Sequence, residues 1–154
     1  MTGRLPLDDE QEFALWRPDS KVVVTSKRRI VIGHKDRPIG KSLALLLSTR
    51  GFEAIHASEM GDARRFLQHW KAHALLLDTR MDTPPDFETV RQLRRTEHTA
   101  GLLIIAMSNI QPLDSLPSMK EAGFDGHVRR PCSLWRLTDL IESHFGIVPM
   151  RNRR

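Results

Sequence analysis

The chain has 154 residues, of which 40% are hydrophobic and 28% are charged. This length and balance predict one compact domain with short tails, because two buried cores do not fit in so short a chain. The single cysteine, Cys132, excludes an internal disulfide, and no apolar run approaches the roughly 20 residues needed to span a bilayer. We therefore expect a cytoplasmic domain in a reducing compartment, with no membrane partner.

The formal net charge of +5 raises the question of nucleic-acid binding. Much of the excess lies in two short basic segments, Ser26 to Arg29 and Met150 to Arg154, and the other arginines are scattered. The sequence has no zinc-ligand spacing, no aromatic ribonucleoprotein motif and no clear helix-turn-helix pattern. Specific recognition of nucleic acid is therefore not expected.

The first 28 residues show no sustained hydrophobic periodicity. We predict a tail or linker over 1–28, with room for one extra strand or a short helix near Phe13 to Trp16. A single domain is predicted over 29–146, followed by a basic tail over 147–154.

From Arg29 onward, short apolar runs alternate with segments of helical periodicity. The predicted strands are RIVIG, FEAIHA, HALLLD, GLLIIAMS and DGHVR. The predicted helices are PIGKSLALLLSTRG, SEMGDARRFLQHWKA, DFETVRQLRR, LDSLPSMKEAG and SLWRLTDLIESHFG. Ser58 and Ser133 are the expected helix caps, and Pro117 is expected to interrupt the fourth helix. Such near-continuous apolar strands predict an α/β fold with a doubly wound, five-stranded parallel sheet covered on both faces.

Asp78 ends the third predicted strand, directly after the apolar run Ala74 to Leu77. Ligand sites of doubly wound sheets lie at the carboxyl ends of the strands, so this carboxylate should face the crevice there. Three roles are open: a turn-forming or helix-capping residue, a nucleophile that accepts a phosphoryl group, and a ligand for a divalent cation. The motif alone does not decide among them.

The order of the motifs at successive strand ends adds a further observation. HALLLDTRMDTPPDFETVRQLRR is followed by LLIIAMSN and then by AGFDGHVRRP. This series resembles the receiver domain of bacterial response regulators, over about Arg29 to Phe145. The resemblance implies the flavodoxin-like (βα)5 receiver fold and a phosphorelay signalling role in a two-component system, in a domain that is not itself an enzyme.

The resemblance also assigns roles to individual residues. Asp78 falls on the phosphoacceptor position, and Ser108 on the hydroxyl that bonds a phosphoryl oxygen in the active form. Arg130 replaces the family's lysine, which pairs with the phosphoryl group and precedes a proline, here Pro131, through a cis peptide. His127 lies at the position of the aromatic switch residue.

The loop after the first predicted strand departs from the family pattern. The family has two acidic residues there, which hold Mg²⁺ together with the phosphoacceptor, whereas this chain has His34 and Lys35. We therefore expect no cofactor, with Mg²⁺ binding weak or absent, and atypical or absent phosphorylation of Asp78. Lys35 has two alternatives: it pairs with Asp78 in place of the cation, or it extends into solvent. Asp36 and Asp82 are the weak candidates for residual metal binding, alongside Asp78 itself.

The predicted function is a receiver-type signalling module that acts through protein–protein interaction. Its expected partner is a histidine kinase, a phosphotransfer protein or a downstream effector. A working phosphoacceptor in a phosphorelay is the alternative. An aspartate-nucleophile phosphohydrolase is disfavoured, because that class has a second aspartate two residues after the nucleophile, where this chain has Arg80.

The resemblance further implies that output runs through the face of the fourth helix, fifth strand and fifth helix. The residues predicted on this face are Lys120, Glu121, His127, Arg129 and Arg136. Their basic character favours an acidic partner.

Overall fold

The structure is a computed structural model, and it describes residues 13–17, 27–82, 86–108, 115–130 and 133–145. Within these ranges the strands are β1 (Phe13–Leu15), β2 (Arg29–Gly33), β3 (Glu53–Ala57), β4 (Ala74–Asp78), β5 (Leu103–Ser108) and β6 (Gly126–Arg129). The helices are α1 (Arg37–Thr49), α2 (Met60–His69), α3 (Glu88–Arg95), α4 (Leu116–Ala122) and α5 (Leu134–His144). A 3₁₀ turn, Thr79–Met81, follows β4 directly.

Some predicted features lie outside the described residues. These are most of the predicted N-terminal tail, Cys132, the peptide to Pro131 and the basic tail over 147–154. Among the helices within the described ranges, none combines the length and apolarity needed to cross a bilayer.

The six strands form one sheet in the order β1-β6-β5-β4-β2-β3. Every neighbouring pair is parallel except β1 and β6, which are antiparallel. The predicted doubly wound α/β fold is therefore confirmed, but within the described ranges the sheet has six strands rather than five. The additional strand, β1, lies near Phe13 to Trp16, where an extra strand was one of the two alternatives.

Alternation along the central strands divides the interior into two cores. Ile30 and Ile32 of β2 pack with residues of α1 and α5, whereas Val31 between them packs with residues of α2, α3 and α4. All three side chains are fully buried, and burial of each contributes about 1.5–3 kcal/mol to the free energy of unfolding. The strands are apolar on both faces for this reason, as a parallel sheet between two helical layers requires.

The helix boundaries follow capping chemistry, with two differences from the predicted caps and breaks. Ser133 caps α5 as predicted, because its hydroxyl accepts a backbone N–H three residues later at 3.4 Å. Ser58 does not cap α2, whose N-cap is Glu59 without a side-chain hydrogen bond. Pro117 does not interrupt α4 but lies in its first turn, after the N-cap Ser115, where a missing N–H leaves no intrahelical bond unmade.

β1 closes the edge of the sheet beside β6. Phe13 is opposite Val128 and Leu15 is opposite Gly126 in this antiparallel pair. A Cβ atom at Gly126 would overlap the carbonyl oxygen of Ala14. Glycine is therefore the residue that allows β1 to approach.

Candidate functional site

Three neighbouring strands bring the predicted site residues together where their carboxyl ends meet. Asp78 is the last residue of β4, which pairs with β2 on one side and with β5 on the other. The loop that begins at His34 follows β2, and Ser108 ends β5. Because β2 connects to β3 on one side and the chain then crosses to β4 on the other, this is the switch point of the sheet.

The carboxylate of Asp78 is fully buried and is chelated by Arg80. The Nε atom of Arg80 donates to Oδ1 and Oδ2, both at 3.0 Å, and its Nη2 atom donates to Oδ2 at 2.7 Å. The backbone N–H of Arg80 donates to Oδ1 at 3.0 Å, and the backbone N–H of Lys35 donates to Oδ2 at 3.1 Å. Each carboxylate oxygen therefore accepts at least two hydrogen bonds, which fills its lone-pair capacity.

These contacts keep Asp78 ionised. Burial acts to raise the pKa of Asp78, but the side-chain and backbone hydrogen bonds from Arg80, the Lys35 N–H and the charge of Arg130 together lower it below its ordinary value. The hydrogen bond to Asp78 in turn raises the pKa of Arg80. The pair is thus a fixed carboxylate–guanidinium complex.

The alternative in which the ammonium group of Lys35 neutralises Asp78 is wrong. The Lys35 side chain is exposed, and it is the backbone N–H of this residue that contacts the carboxylate. Within the described ranges the arginine ion pairs of Asp78 are those with Arg80 and Arg130. Arg80 lies in the 3₁₀ turn that directly follows β4, and its backbone N–H is also bonded to the Asp78 side chain. The sequence did contain a signal for this contact, because Arg80 is a cation two residues after the predicted acceptor.

His34, at the first of the two acidic positions, is buried next to Asp78. Its Nδ1 atom lies 3.7 Å from Oδ2 of Asp78 and accepts the backbone N–H of Asp36 at 3.0 Å. The proton of the neutral ring is therefore on Nε2, which is buried and has no hydrogen-bond partner within the described part of the chain. Burial lowers the pKa of His34, which favours the neutral imidazole at the position that we predicted for the first acidic residue.

The two loop carboxylates proposed as residual metal ligands bind protein groups. Asp36 accepts from Nη2 of Arg80 at 3.1 Å. Asp82 is buried and accepts the backbone N–H groups of Thr89 and Val90, both at 3.1 Å, in the first turn of α3. Asp82 is therefore a helix-capping residue.

The residues at this edge do not fit Mg²⁺, the ion that the receiver family holds. Mg²⁺ requires a near-octahedral set of oxygen ligands. Here both oxygens of Asp78 already accept hydrogen bonds, and a guanidinium group lies against them. No group of three His, Cys, Asp or Glu residues is placed to hold a metal ion anywhere in the described ranges.

Arg130, which we predicted at the position of the family's lysine, is a second arginine close to the carboxylate. Its Nη2 atom is 3.4 Å from Oδ1 of Asp78, and its side chain is 16% exposed. The backbone N–H of Arg130 donates to the carbonyl of Ser108 at 2.8 Å, which ties the residue to the end of β5. The structure therefore brings Arg130 and Asp78 together.

Ser108 is fully buried, and its hydroxyl contacts residues of β6. Its Oγ atom donates to the carbonyl of Val128 at 3.3 Å and lies 3.3 Å from Nδ1 of His127. Nη1 of Arg129 donates to the same oxygen at 3.4 Å.

The residues predicted on the output face differ in exposure. Arg129 and His127 are buried, whereas Lys120, Glu121 and Arg136 are exposed.

His127, at the predicted switch position, is covered by the N-terminal strand. The imidazole stacks on the indole of Trp16, with ring centroids 5.5 Å apart and an interplanar angle of 19°. The backbone N–H of Trp16 donates to the backbone carbonyl of Asp125 at 2.6 Å, and the ammonium of Lys120 lies 4.9 Å from the indole centroid. This contact was not predicted from the sequence, since nothing in the local pattern relates Trp16 to a residue more than 100 positions later.

Two curated proteins are similar to this chain in sequence. An uncharacterized 76.5 kDa protein from Thiocystis violacea is 26% identical over 121 residues, which cover 79% of this chain and 18% of that protein. The phosphate regulon transcriptional regulatory protein PhoB from Pseudomonas aeruginosa is 26% identical over 106 residues, which cover 69% of this chain and 46% of PhoB. The chain thus spans less than half the length of either relative. No protein-family model matches it.

Solved structures resemble the whole domain. A response regulator receiver protein from Pseudomonas putida has a TM-score of 0.65 and 23% identity, with 78% of this chain and 99% of that chain covered. The chemotaxis response regulator CheY4 of Vibrio cholerae has a TM-score of 0.68 and 16% identity, with 78% and 100% covered. HP1043, an orphan response regulator of H. pylori, has a TM-score of 0.64 and 16% identity, with 76% and 95% covered. The fold is that of response regulator receiver domains.

Proposed function

We propose that this chain, which has the receiver fold, is a signalling module that acts by binding a protein partner, with Arg80 in the role that Mg²⁺ has in the receiver family. The observation that carries this proposal is the chelation of Asp78 by Arg80. We take the partner to be a histidine kinase, a phosphotransfer protein or a downstream effector, and the location to be the cytosol.

The physical argument concerns the two requirements of an acceptor carboxylate. One oxygen must have a free lone pair to attack phosphorus, and a cation must neutralise the incoming phosphoryl oxygens. Arg80 supplies charge, but its three side-chain hydrogen bonds occupy the nucleophile itself. Releasing one charge-assisted hydrogen bond costs about 1.5–3 kcal/mol, which slows the transfer roughly ten- to hundredfold. Phosphorylation of Asp78 is therefore reduced or absent.

The built-in cation also bears on the conformation of the domain. An ion pair between Asp78 and Arg80 is present at every pH at which the carboxylate is ionised, and it needs no ligand. The domain therefore rests in one state, and signalling depends on when and where the partner is present.

The partner surface that we propose is the face of α4, β6 and α5, to which the N-terminal segment contributes Trp16. Lys120 and Arg136 are exposed on this face, and Lys120 lies over the indole of Trp16. A surface that combines an aromatic ring with exposed cations is suited to an acidic partner with an apolar anchor.

The test is intact-mass spectrometry after incubation of the full chain with acetyl phosphate and Mg²⁺. We expect the wild-type mass to remain unchanged. A triple variant, His34→Asp with Lys35→Asp and Arg80→Thr, introduces the acidic pair and frees the Asp78 carboxylate. This variant should acquire a phosphoryl group. The matched control is Arg65→Thr, an exposed arginine that pairs with Asp62 on α2.

A working phosphoacceptor is the second candidate, and the contact between Arg130 and Asp78 favours it. That function predicts a phosphoryl adduct on the wild-type chain that is lost in Asp78→Asn. Such a result would overturn the proposed role of Arg80.

A further inference from the structure

A cleft lies at the end of the sheet opposite to Asp78, where β2, β4 and β5 begin. Its volume is about 210 Å³. The basic residues that line it are Arg17, Arg28, Lys71, His73, His98 and His144. None of the described residues lining the cleft is acidic. The charged side chains of its walls are therefore Arg17, Arg28 and Lys71, and no carboxylate is among the described lining residues.

The charge of the cleft acts on a titratable group inside it. Burial lowers the pKa of His73, and the charges of Arg28, Arg29 and Lys71 lower it further. The Nδ1 atom of His73 accepts the backbone N–H of Arg29 at 2.9 Å, so the neutral ring carries its proton on Nε2. An anion in the cleft would relieve the repulsion among these groups.

Both arginines of the cleft are held by its walls. The guanidinium of Arg28 lies 4.6 Å from the centroid of the Phe145 ring. Nη1 of Arg17 donates to the carbonyl of Leu102 at 2.9 Å and lies 3.5 Å from Asp125, a carboxylate outside the lining. Side chains that are already ordered lose less conformational entropy when they bind a ligand.

We propose that this cleft binds a small anion that carries a phosphoryl group. Guanidinium groups present planar sets of donors that match phosphate oxygens, and a lysine adds a compact point charge. The volume is about 210 Å³. Pockets for drug-sized ligands begin at about 300 Å³, so the size favours inorganic phosphate or a small phosphomonoester. The inference does not depend on the function proposed for Asp78, which lies at the other end of the sheet.

The test is a titration of the full chain with inorganic phosphate at constant ionic strength, followed by amide chemical shifts. We expect saturable shifts at residues 71–73 and 101–103. Arg28→Gln and Lys71→Gln should each weaken binding by about tenfold, which is the effect of one lost charge contact of moderate strength. Lys41→Gln, an exposed cation on α1, is the matched control and should leave the affinity unchanged.

A parallel titration with glycerol phosphate separates the two sources of the phosphoryl group. Tighter binding of the ester identifies a phosphorylated metabolite, and equal binding identifies free phosphate; either result supports the site. The absence of saturable shifts at constant ionic strength would overturn the proposal. So would an equal loss of affinity in Lys41→Gln, or a loss confined to Arg130→Gln, which would place the anion beside Asp78. Lys71 is exposed, so Lys71→Gln keeps the test valid even where Arg28→Gln does not fold.

Discussion

Replacing Arg80 with alanine tests whether this residue is the cation that the Asp78 carboxylate depends on. The substitution removes three side-chain hydrogen bonds from a carboxylate that is fully buried. Two backbone N–H groups and the more distant guanidinium of Arg130 remain. The buried charge is thus only partly compensated, and the folded state should lose stability.

The magnitude follows from the exposure of the two partners. Removing one member of a fully buried ion pair costs about 3–5 kcal/mol. The side chain of Arg80 is 33% exposed, so water can enter and replace part of its hydrogen bonding. We therefore expect a loss of about 2–3 kcal/mol in the free energy of unfolding, between the buried and exposed limits.

The assay is urea unfolding followed by tryptophan fluorescence, applied as a double-mutant cycle with Asp78→Asn. Because the two side chains contact each other, their effects should differ from additivity by about 1–2 kcal/mol. Arg65→Ala with Asp62→Asn, an exposed pair on α2, is the control, and its coupling should stay below about 0.5 kcal/mol. Additive losses for Arg80 and Asp78 would refute the ion-pair argument.

The other predictions concern α3, β1 and the buried histidines. Asp82→Ala should destabilise the fold by about 1–2 kcal/mol through loss of the α3 cap and leave Mg²⁺ affinity unchanged, as measured by urea unfolding and calorimetric titration. Gly126→Val should detach β1 and increase hydrogen exchange at the Trp16 amide; unchanged protection would contradict the close approach seen here. The pKa values of His34 and His73 are lowered in the folded state, so the unfolded chain takes up protons at a higher pH than the folded chain does. The free energy of unfolding should therefore fall as the pH drops below about 6.5. His34→Gln should make stability less dependent on pH in unfolding curves recorded between pH 7.5 and 5.5. The pKa of Asp78 is lowered in the folded state, so the stability that its ion pair contributes is lost only below about pH 4.

The sequence was sufficient for the parts of the fold that depend on local periodicity. Apolar runs that end in Asp78 and Ser108 specified buried parallel strands, and the order of these strand ends indicated the site. The sequence was insufficient where the structure depends on a turn or on distant pairing. Arg80 returns to Asp78 only because the chain enters a 3₁₀ turn, and the pairing of β1 with β6 joins segments more than 100 residues apart.

Lys35 illustrates a different limit. Spacing placed it correctly beside Asp78, but spacing does not say whether a side chain or a backbone group faces the neighbour. The Lys35 N–H points to the carboxylate, and its long side chain extends outward. A lysine stem reaches water at little cost, so an arginine held closer by the turn forms the ion pair instead.

The pairing of β1 with β6 also affects how the domain avoids self-association. A bare β6 would offer a line of unpaired backbone N–H and C=O groups at the rim of the sheet, and such rims recruit strands from other molecules into aggregates. Within the described residues β1 covers that rim over three positions, and a covered rim offers fewer free backbone groups for further pairing. We therefore expect β6, paired with β1, to recruit strands from other molecules less readily than it would if β1 were absent.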